Sequence, residues 1–276
     1  MFGKLLTDIG SLWTKYGNVY LDGIKNTLIL ATVATLIGCI IGFFCGILQT
    51  IPYGPKDNII KRFVLRLIRI IIRAYVEIFR GTPMILQAVF IYYGLPYFFN
   101  VNFTDIWVVS ILVVSINTGA YMAESVRGGI MSIDKGQFEG AKAIGMNHWQ
   151  TMLYIVLPQT LRNILPQIGN NYIINVKDTS VMFIIGFQDF FAVHKMVSGA
   201  VFKYFPSAFM EMGGYLCLTL LASFLLRRLE KKLAGKSNYE LVNTDQLVMT
   251  AGTYKYPEEA GSPFDEVSRD YKGGGQ

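Results

Sequence analysis

Polar chemistry occurs at three places in this sequence where the surroundings are apolar. Lys177, Asp178, Thr179 and Ser180 stand between Ile173-Ile174 and the run Val181–Ile185. Two opposite charges and two hydroxyls could answer the ammonium and the carboxylate of a zwitterionic ligand. They could equally neutralise one another as a local ion pair. Asn117, Tyr121, Glu124 and Gly128 fall at i, i+4, i+7 and i+11, which is one face of a helix. Glu124 on that face either pairs with a neighbour such as Arg127 or Arg80, or meets a substrate. The third place is Arg80-Gly81-Thr82-Pro83, a polar break inside an apolar run.

No catalytic apparatus accompanies these groups. Cys39, Cys45 and Cys217 have no CxxC neighbour, and the two histidines, His148 and His194, lie far apart. Neither a disulfide frame nor a metal site is expected. A phosphate-binding GxxxxGKS loop is missing from the sequence. Any nucleotide chemistry must therefore come from another subunit.

Composition gives these residues their setting. The 276 residues are 52% hydrophobic and 16% charged, against about 25% charged for a typical soluble domain. Several runs reach the ~20 apolar residues that cross a ~30 Å hydrocarbon core. The chain reads as a multi-span membrane protein. Within a span an acid costs roughly 2.5–3.5 kcal/mol on insertion scales, so Glu124 must face protein or a cavity. A Gly-Thr-Pro break at membrane depth needs protein cover or a watery lining. The net charge of +6 is uneven, because residues 237–276 hold seven acidic and three basic residues. Membrane topology accounts for the basic excess without nucleic acid.

In order, residues 1–23 are too polar to span and carry Trp13, Tyr16 and Tyr20, as an interfacial segment would. No cleavable signal pattern is present in them. A first span covers about 24–48. The basic stretch from Lys56 to Arg73 places the following loop in the cytoplasm and the amino terminus outside. The second span is interrupted at residues 80–83, and the third runs from about 104 to 126. The segment 136–158 is then a polar helix ended by Gly145 and closed by Leu157-Pro158. An irregular fourth span is expected across 161–187, where Pro166, Gly169, Asn170, Asn171, Asn175, Lys177 and Asp178 make a poor simple span, then an outer hairpin over 189–205 and a last span from about 205 to 226. The result is an all-α membrane protein of about five spans, with the second and fourth broken and the carboxyl terminus inside. The membrane domain covers 24–232. Residues 237–276 read as an acidic, disordered cytoplasmic tail, with a regulatory or partner-binding role as the alternative.

Five stretches carry a family resemblance: GIKNTLILA at 23–31, EIFRGTPMILQAVFIYYGLP at 77–96, NTGAYMAESVRGGI at 117–130, KGQFEGAKAIGMNHWQTMLYIVLPQ at 135–159 and VKDTSV at 176–181. Together they resemble the permease subunits of bacterial type I ABC importers for polar amino acids. Gly140 departs from the family's Glu-Ala-Ala opening. The resemblance implies a bacterial cell membrane protein that works with a second permease chain, identical or related. It also implies two cytoplasmic ATPase subunits holding ATP and magnesium, and an extracellular binding protein for a polar amino acid, with no cofactor on this chain. Glu139, Gly140, Ala141, Ala143, Gly145 and Met146 would couple to an ATPase. Asn117, Tyr121, Glu124, Lys177, Asp178, Thr179, Gly81 and Thr82 would line the pathway. The competing reading is an ion-coupled secondary amino acid transporter, against which five spans and the lack of an inverted repeat argue.

Overall fold

The computed structural model describes residues 2–54, 57–100, 103 and 105–233, so the expected acidic tail lies outside the described residues. Every regular element among them is helical. The chain opens with α1 (Phe2–Thr50), α2 (Ile59–Gly81), α3 (Met84–Val89), α4 (Leu95–Phe99) and α5 (Ile106–Met131). It continues with α6 (Lys135–Ala143), α7 (His148–Thr151), α8 (Leu157–Asp178), α9 (Phe190–Val201) and α10 (Tyr204–Leu233). A π turn, Phe90–Gly94, joins α3 to α4, and a second, Met152–Val156, joins α7 to α8. A 3-10 helix, Thr179–Ile185, follows α8.

The core pair is α1 and α5, and glycine sets their separation. Gly38, Gly42 and Gly46 form a stripe at spacing four on α1. A Cβ at Gly38 would lie 2.6 Å from Thr118 Cβ, and one at Gly46 would lie 2.6 Å from Val126 Cγ1. At Gly42 it would collide with Met122 Cβ. Small residues at this spacing let membrane helices approach until their backbones nearly touch. The rising register, 38 with 118 and 46 with 126, makes the two helices parallel.

At 1.5 Å per residue α1 is ~73 Å long, more than twice a ~30 Å hydrocarbon layer. Its register with α5 puts the excess in the amino-terminal half. There Leu12 and Tyr20 pack with Phe190, Val193 and Val197 of α9. The change in character at residue 23 is thus a change of composition within one unbroken helix.

Among the described residues, three helices are long and apolar enough to cross a membrane: α1, α5 and α10. The segment His148–Ile185 with α9 forms a further candidate, bent by 53°. Met84–Phe99 is a shorter apolar stretch. Residues Arg62, Arg66, Arg69, Arg73, Glu77 and Arg80 make one polar stripe down α2, while Ile60, Val64, Leu67, Ile71 and Ile78 expose an apolar stripe on the opposite side.

The break after α2 lies where it was expected, and its stabilisation is visible. In a continuing helix the N–H of residue 83 would bond the Phe79 carbonyl, but Pro83 has no N–H. Side-chain amides replace it: Gln87 Nε2 donates to Phe79 O at 2.9 Å, and Asn117 Nδ2 donates to the same oxygen at 3.1 Å. Gln87 also donates to Thr82 O and Thr82 Oγ1, each at 2.9 Å, and accepts from Asn117 at 3.0 Å.

The fourth span is more regular than expected over Pro166–Asn175. α8 continues through Pro166 to Asp178, and the irregular backbone lies on either side of it. The reason is that its asparagines are satisfied by neighbouring helices. Asn175 Nδ2 donates to Thr35 Oγ1 at 2.7 Å and to Thr118 Oγ1 at 2.9 Å. Asn171 Nδ2 donates to Gln167 O at 3.0 Å and faces Met122 Sδ.

Two outcomes follow from this packing. Gly42→Ala is expected to destabilise the protein by about 1–3 kcal/mol through overpacking, seen as a lower thermal midpoint in detergent, because the atoms it meets are Met122 Cβ and the Met122–Ala123 backbone, which cannot swing aside. An unchanged midpoint would contradict the close α1–α5 contact. Gln87→Leu should cost about 1–3 kcal/mol by leaving Thr82 O without its side-chain donor and Phe79 O with Asn117 alone. In a Pro83→Ala background, which restores a backbone N–H, the loss should shrink; equal losses in both backgrounds would rule out the replacement role.

Candidate functional site

Two cavities meet at the α2 break. The smaller, about 570 Å³, is walled by the end of α2, the Gly81–Pro83 break, α5 and α8. Arg80 is the basic and Asp178 the acidic side chain along its described wall. Asn117, Gln167, Asn171 and Asn175 add four carboxamides, and Thr82, Thr118 and Tyr121 add hydroxyls. The larger cavity, about 1140 Å³, shares Arg80, Gly81 and Tyr121 with it and extends to α6 and α7. Arg69, Arg73, Arg127, Lys135 and Lys142 line it together with Arg80, against Glu77 and Glu124. Its wall is therefore strongly positive.

Glu124, for which the sequence left pairing and substrate contact open, is paired in the structure and also lines the larger cavity. Its Oε2 lies 3.5 Å from Arg80 Nη1, and its Oε1 accepts a hydrogen bond from Arg127. Arg80 also stacks over the Tyr121 ring, 5.4 Å from the centroid. These pairs are more than a third exposed, and ion pairs of that kind are worth about 0–1 kcal/mol. Arg80 can thus exchange Glu124 for a ligand carboxylate at little cost.

The other expected pathway residues separate into two groups. Gly81, Thr82, Asn117, Tyr121 and Asp178 all line the smaller cavity. Lys177 is exposed and Thr179 is buried with its hydroxyl bonded to Val176 O at 3.1 Å, and neither lines a described cavity. Successive helical residues point about 100° apart, so Lys177 turns away from the wall that Asp178 joins. No Lys177–Asp178 ion pair forms among the described residues. Gln167 was not singled out from sequence, nor was Arg80 as a lining group. The spacing of Gln167, Asn171, Asn175 and Asp178 at i, i+4, i+8 and i+11 is the helical signal that marks their common face.

At the far end of the larger cavity, α6 and α7 form a tightly capped corner. Asp134 caps α6 by accepting from Gly136 N at 2.7 Å. α6 then ends in a paired C-terminal motif: Met146 N donates to Ala141 O and Gly145 N to Lys142 O, both at 3.0 Å. The residue between, Gly145, has φ +79°, the left-handed conformation that this motif requires and glycine supplies without strain. Asn147 and Gln150 close a reciprocal capping box at the start of α7. Glu139, Gly140, Ala143 and Gly145 are exposed, as are Ile144 and Trp149. Ala141 points the other way and is buried, and Met146 is half-buried. The exposed surface of this corner is therefore smaller than the six residues expected, and it gains two large apolar side chains.

Comparison with known proteins bears on what this arrangement serves. Residues 38–235 match the family described as binding-protein-dependent transport system inner membrane component. The glutamine transport system permease protein GlnP of Escherichia coli strain K12 is 33% identical over 213 residues, covering 77% of this chain and 92% of that protein. A crystal structure of an amino acid ABC transporter with histidines aligns with TM-score 0.70 and 31% identity, over 79% of this chain and 96% of that one. The inward-facing MetNI methionine ABC transporter shares the fold, with TM-score 0.66 at 18% identity over 79% of this chain and 98% of that one. By the extent of the family match and a relative one-third identical across the membrane body, the chain belongs to the inner-membrane components of binding-protein-dependent transport systems.

Proposed function

We propose that this chain is the permease of an ATP-driven amino acid importer and that its smaller cavity holds a zwitterion with a polar, uncharged side chain. The family membership makes it a transport permease of the bacterial inner membrane. The substrate reading rests on one observation: a single basic side chain, Arg80, and a single acidic one, Asp178, share a described wall otherwise supplied with carboxamides. Asp178 would take the substrate ammonium and Arg80 its carboxylate, released from Glu124. Gln167 would meet the side chain with its amide, and Asn117 and Asn171 with their carbonyl oxygens, because their N–H groups, like those of Asn175, are bonded within the protein. The positive wall of the larger cavity, read as the way out to the cytoplasm, would disfavour cationic substrates. The amino acid substrates named for similar proteins agree with this reading.

The work would come from elsewhere. α6 and the Gly145 corner would face the cytoplasm and seat in an ATPase subunit, one for each of two permease chains, identical or related. ATP and magnesium would be bound by those ATPases and the substrate delivered by an external binding protein. Closure of the ATPase pair would draw the two α6 corners together. Because α6 packs on α7 and the Met152–Val156 turn, and Phe138 joins the apolar cluster that includes Ile130 of α5 and Ile164 of α8, that motion would reach the walls of both cavities.

Two variants test the assignment in proteoliposomes containing the assembled transporter. Asp178→Asn removes a charge-assisted bond worth about 1.5–3 kcal/mol, and uptake should fall roughly ten- to hundredfold while the binding protein still captures substrate. Unchanged uptake, with unchanged competition by basic, acidic and neutral amino acids, would remove Asp178 from the site. Gly145→Leu places a bulky side chain in a left-handed conformation that costs about 1–3 kcal/mol. ATP hydrolysis should continue with uptake reduced at normal membrane abundance; normal uptake at equal abundance would exclude this corner as the coupling element.

A further inference from the structure

At the end of the molecule remote from α6, a buried polar cluster joins α1, α9 and α10, and nothing in the transport pathway described above uses it. His194 Nδ1 lies 2.8 Å from Ser207 Oγ, and Tyr20 Oη lies 2.6 Å from the same oxygen. His194 Nδ1 is also 3.6 Å from Glu211 Oε2, and both side chains are more than nine-tenths buried. Glu211 Oε1 has no hydrogen-bond partner among the described residues. Nearby, the Asp189 carboxylate caps α9 by accepting from Ala192 N at 2.9 Å and Phe191 N at 3.2 Å, and Tyr215 donates to it at 3.3 Å.

We propose that Glu211 and His194 are positioning residues that carry one titratable proton between them as a buried pair and thereby hold α9, and with it the turn leading back to Asp178, in its working place. A carboxyl group beside a neutral imidazole and a carboxylate beside an imidazolium both contain that single proton. Either form leaves the pair without net charge. Removing the proton strands an uncompensated anion in a buried site, and adding a second strands a cation. Each is strongly disfavoured where water cannot reach the charge. The surroundings supply little relief. Tyr20 faces the pair from α1, Lys195 of α9 is exposed over Phe191 and Tyr204, and Tyr204 and Tyr215 come from α10. Asp189 adds a like charge to Glu211, and Lys203 is already paired with Asp8 at 2.7 Å. Only residues 179–189 separate Asp178 from α9. They are tied down by Gly186 N to Phe183 O at 2.9 Å, by Phe187 N to Met182 O at 3.2 Å, and by Asn26 Nδ2 to Gln188 O at 2.8 Å. Loss of that proton frees α9 at the far end of this short connection.

The inference rests on the permease reading for its effect on transport and on the orientation with α6 inside for the side that senses pH. Initial uptake by the assembled transporter, measured across external pH, should follow a bell with one-proton limbs, about tenfold per pH unit. Glu211→Gln, which keeps shape and burial, should remove the alkaline fall and leave the acid one. His194→Gln should do the reverse. Hydrogen exchange of Phe190–Val201 in the same complex, corrected for the intrinsic pH dependence of exchange, should show protection lost on the same limbs. A bell of the same shape in wild type and both variants, or α9 protection that ignores pH in the wild type, would overturn the proposal. The exchange result is read on the chain itself, so it stands apart from whether the complex imports amino acids.

Discussion

Pro83 has no N–H, and the Phe79 carbonyl beneath it must still find a donor. In an apolar setting an unbonded backbone carbonyl is costly enough to decide local structure. Here the two donors come from different places: Gln87 from the helix after the break and Asn117 from α5. That one carbonyl therefore fixes the end of α2 and the start of α3 against the middle of α5. It opens the wall at Gly81 and Thr82 while keeping the break rigid, so the cavity exists without exposing unsatisfied backbone to lipid.

Around this point the remaining packing acts as a frame. The glycine stripe of α1 brings its backbone onto α5, and Asn175 of α8 bonds threonines from both helices. Three helices are thus joined by side chains too short to rearrange independently. The basic group lies on the other wall, where Arg80 is shared among Glu124, Tyr121 and the cavity. A rigid polar face thus stands opposite one weakly paired guanidinium.

Much of this was legible in the sequence because membrane backbone has few options. The Gly81-Thr82-Pro83 break, the face of Asn117, Tyr121 and Glu124, and the end of α6 at Gly145 each follow from a local rule about proline, helical period or glycine. What could not be read was which partner would satisfy each polar group. Lys177 and Asp178 are adjacent in sequence and were weighed as a pair, yet the helix turns them to different surroundings. Glu124 had two arginines within reach and takes both. Asn171 and Asn175 looked like helix breakers, and the neighbours that make them helical, Met122, Thr118 and Thr35, are distant in the chain. Ala141 was counted with the docking surface because composition does not say which side of a short helix is covered.

The most direct measurement is equilibrium binding of labelled amino acids to the permease–ATPase complex in nanodiscs, without the binding protein and without ATP. Selectivity then belongs to this chain's cavity alone. The account predicts saturable binding of a neutral polar amino acid, competed by other neutral polar amino acids and far more weakly by arginine or glutamate. Absence of saturable binding, or preferential binding of a cationic amino acid, would contradict it.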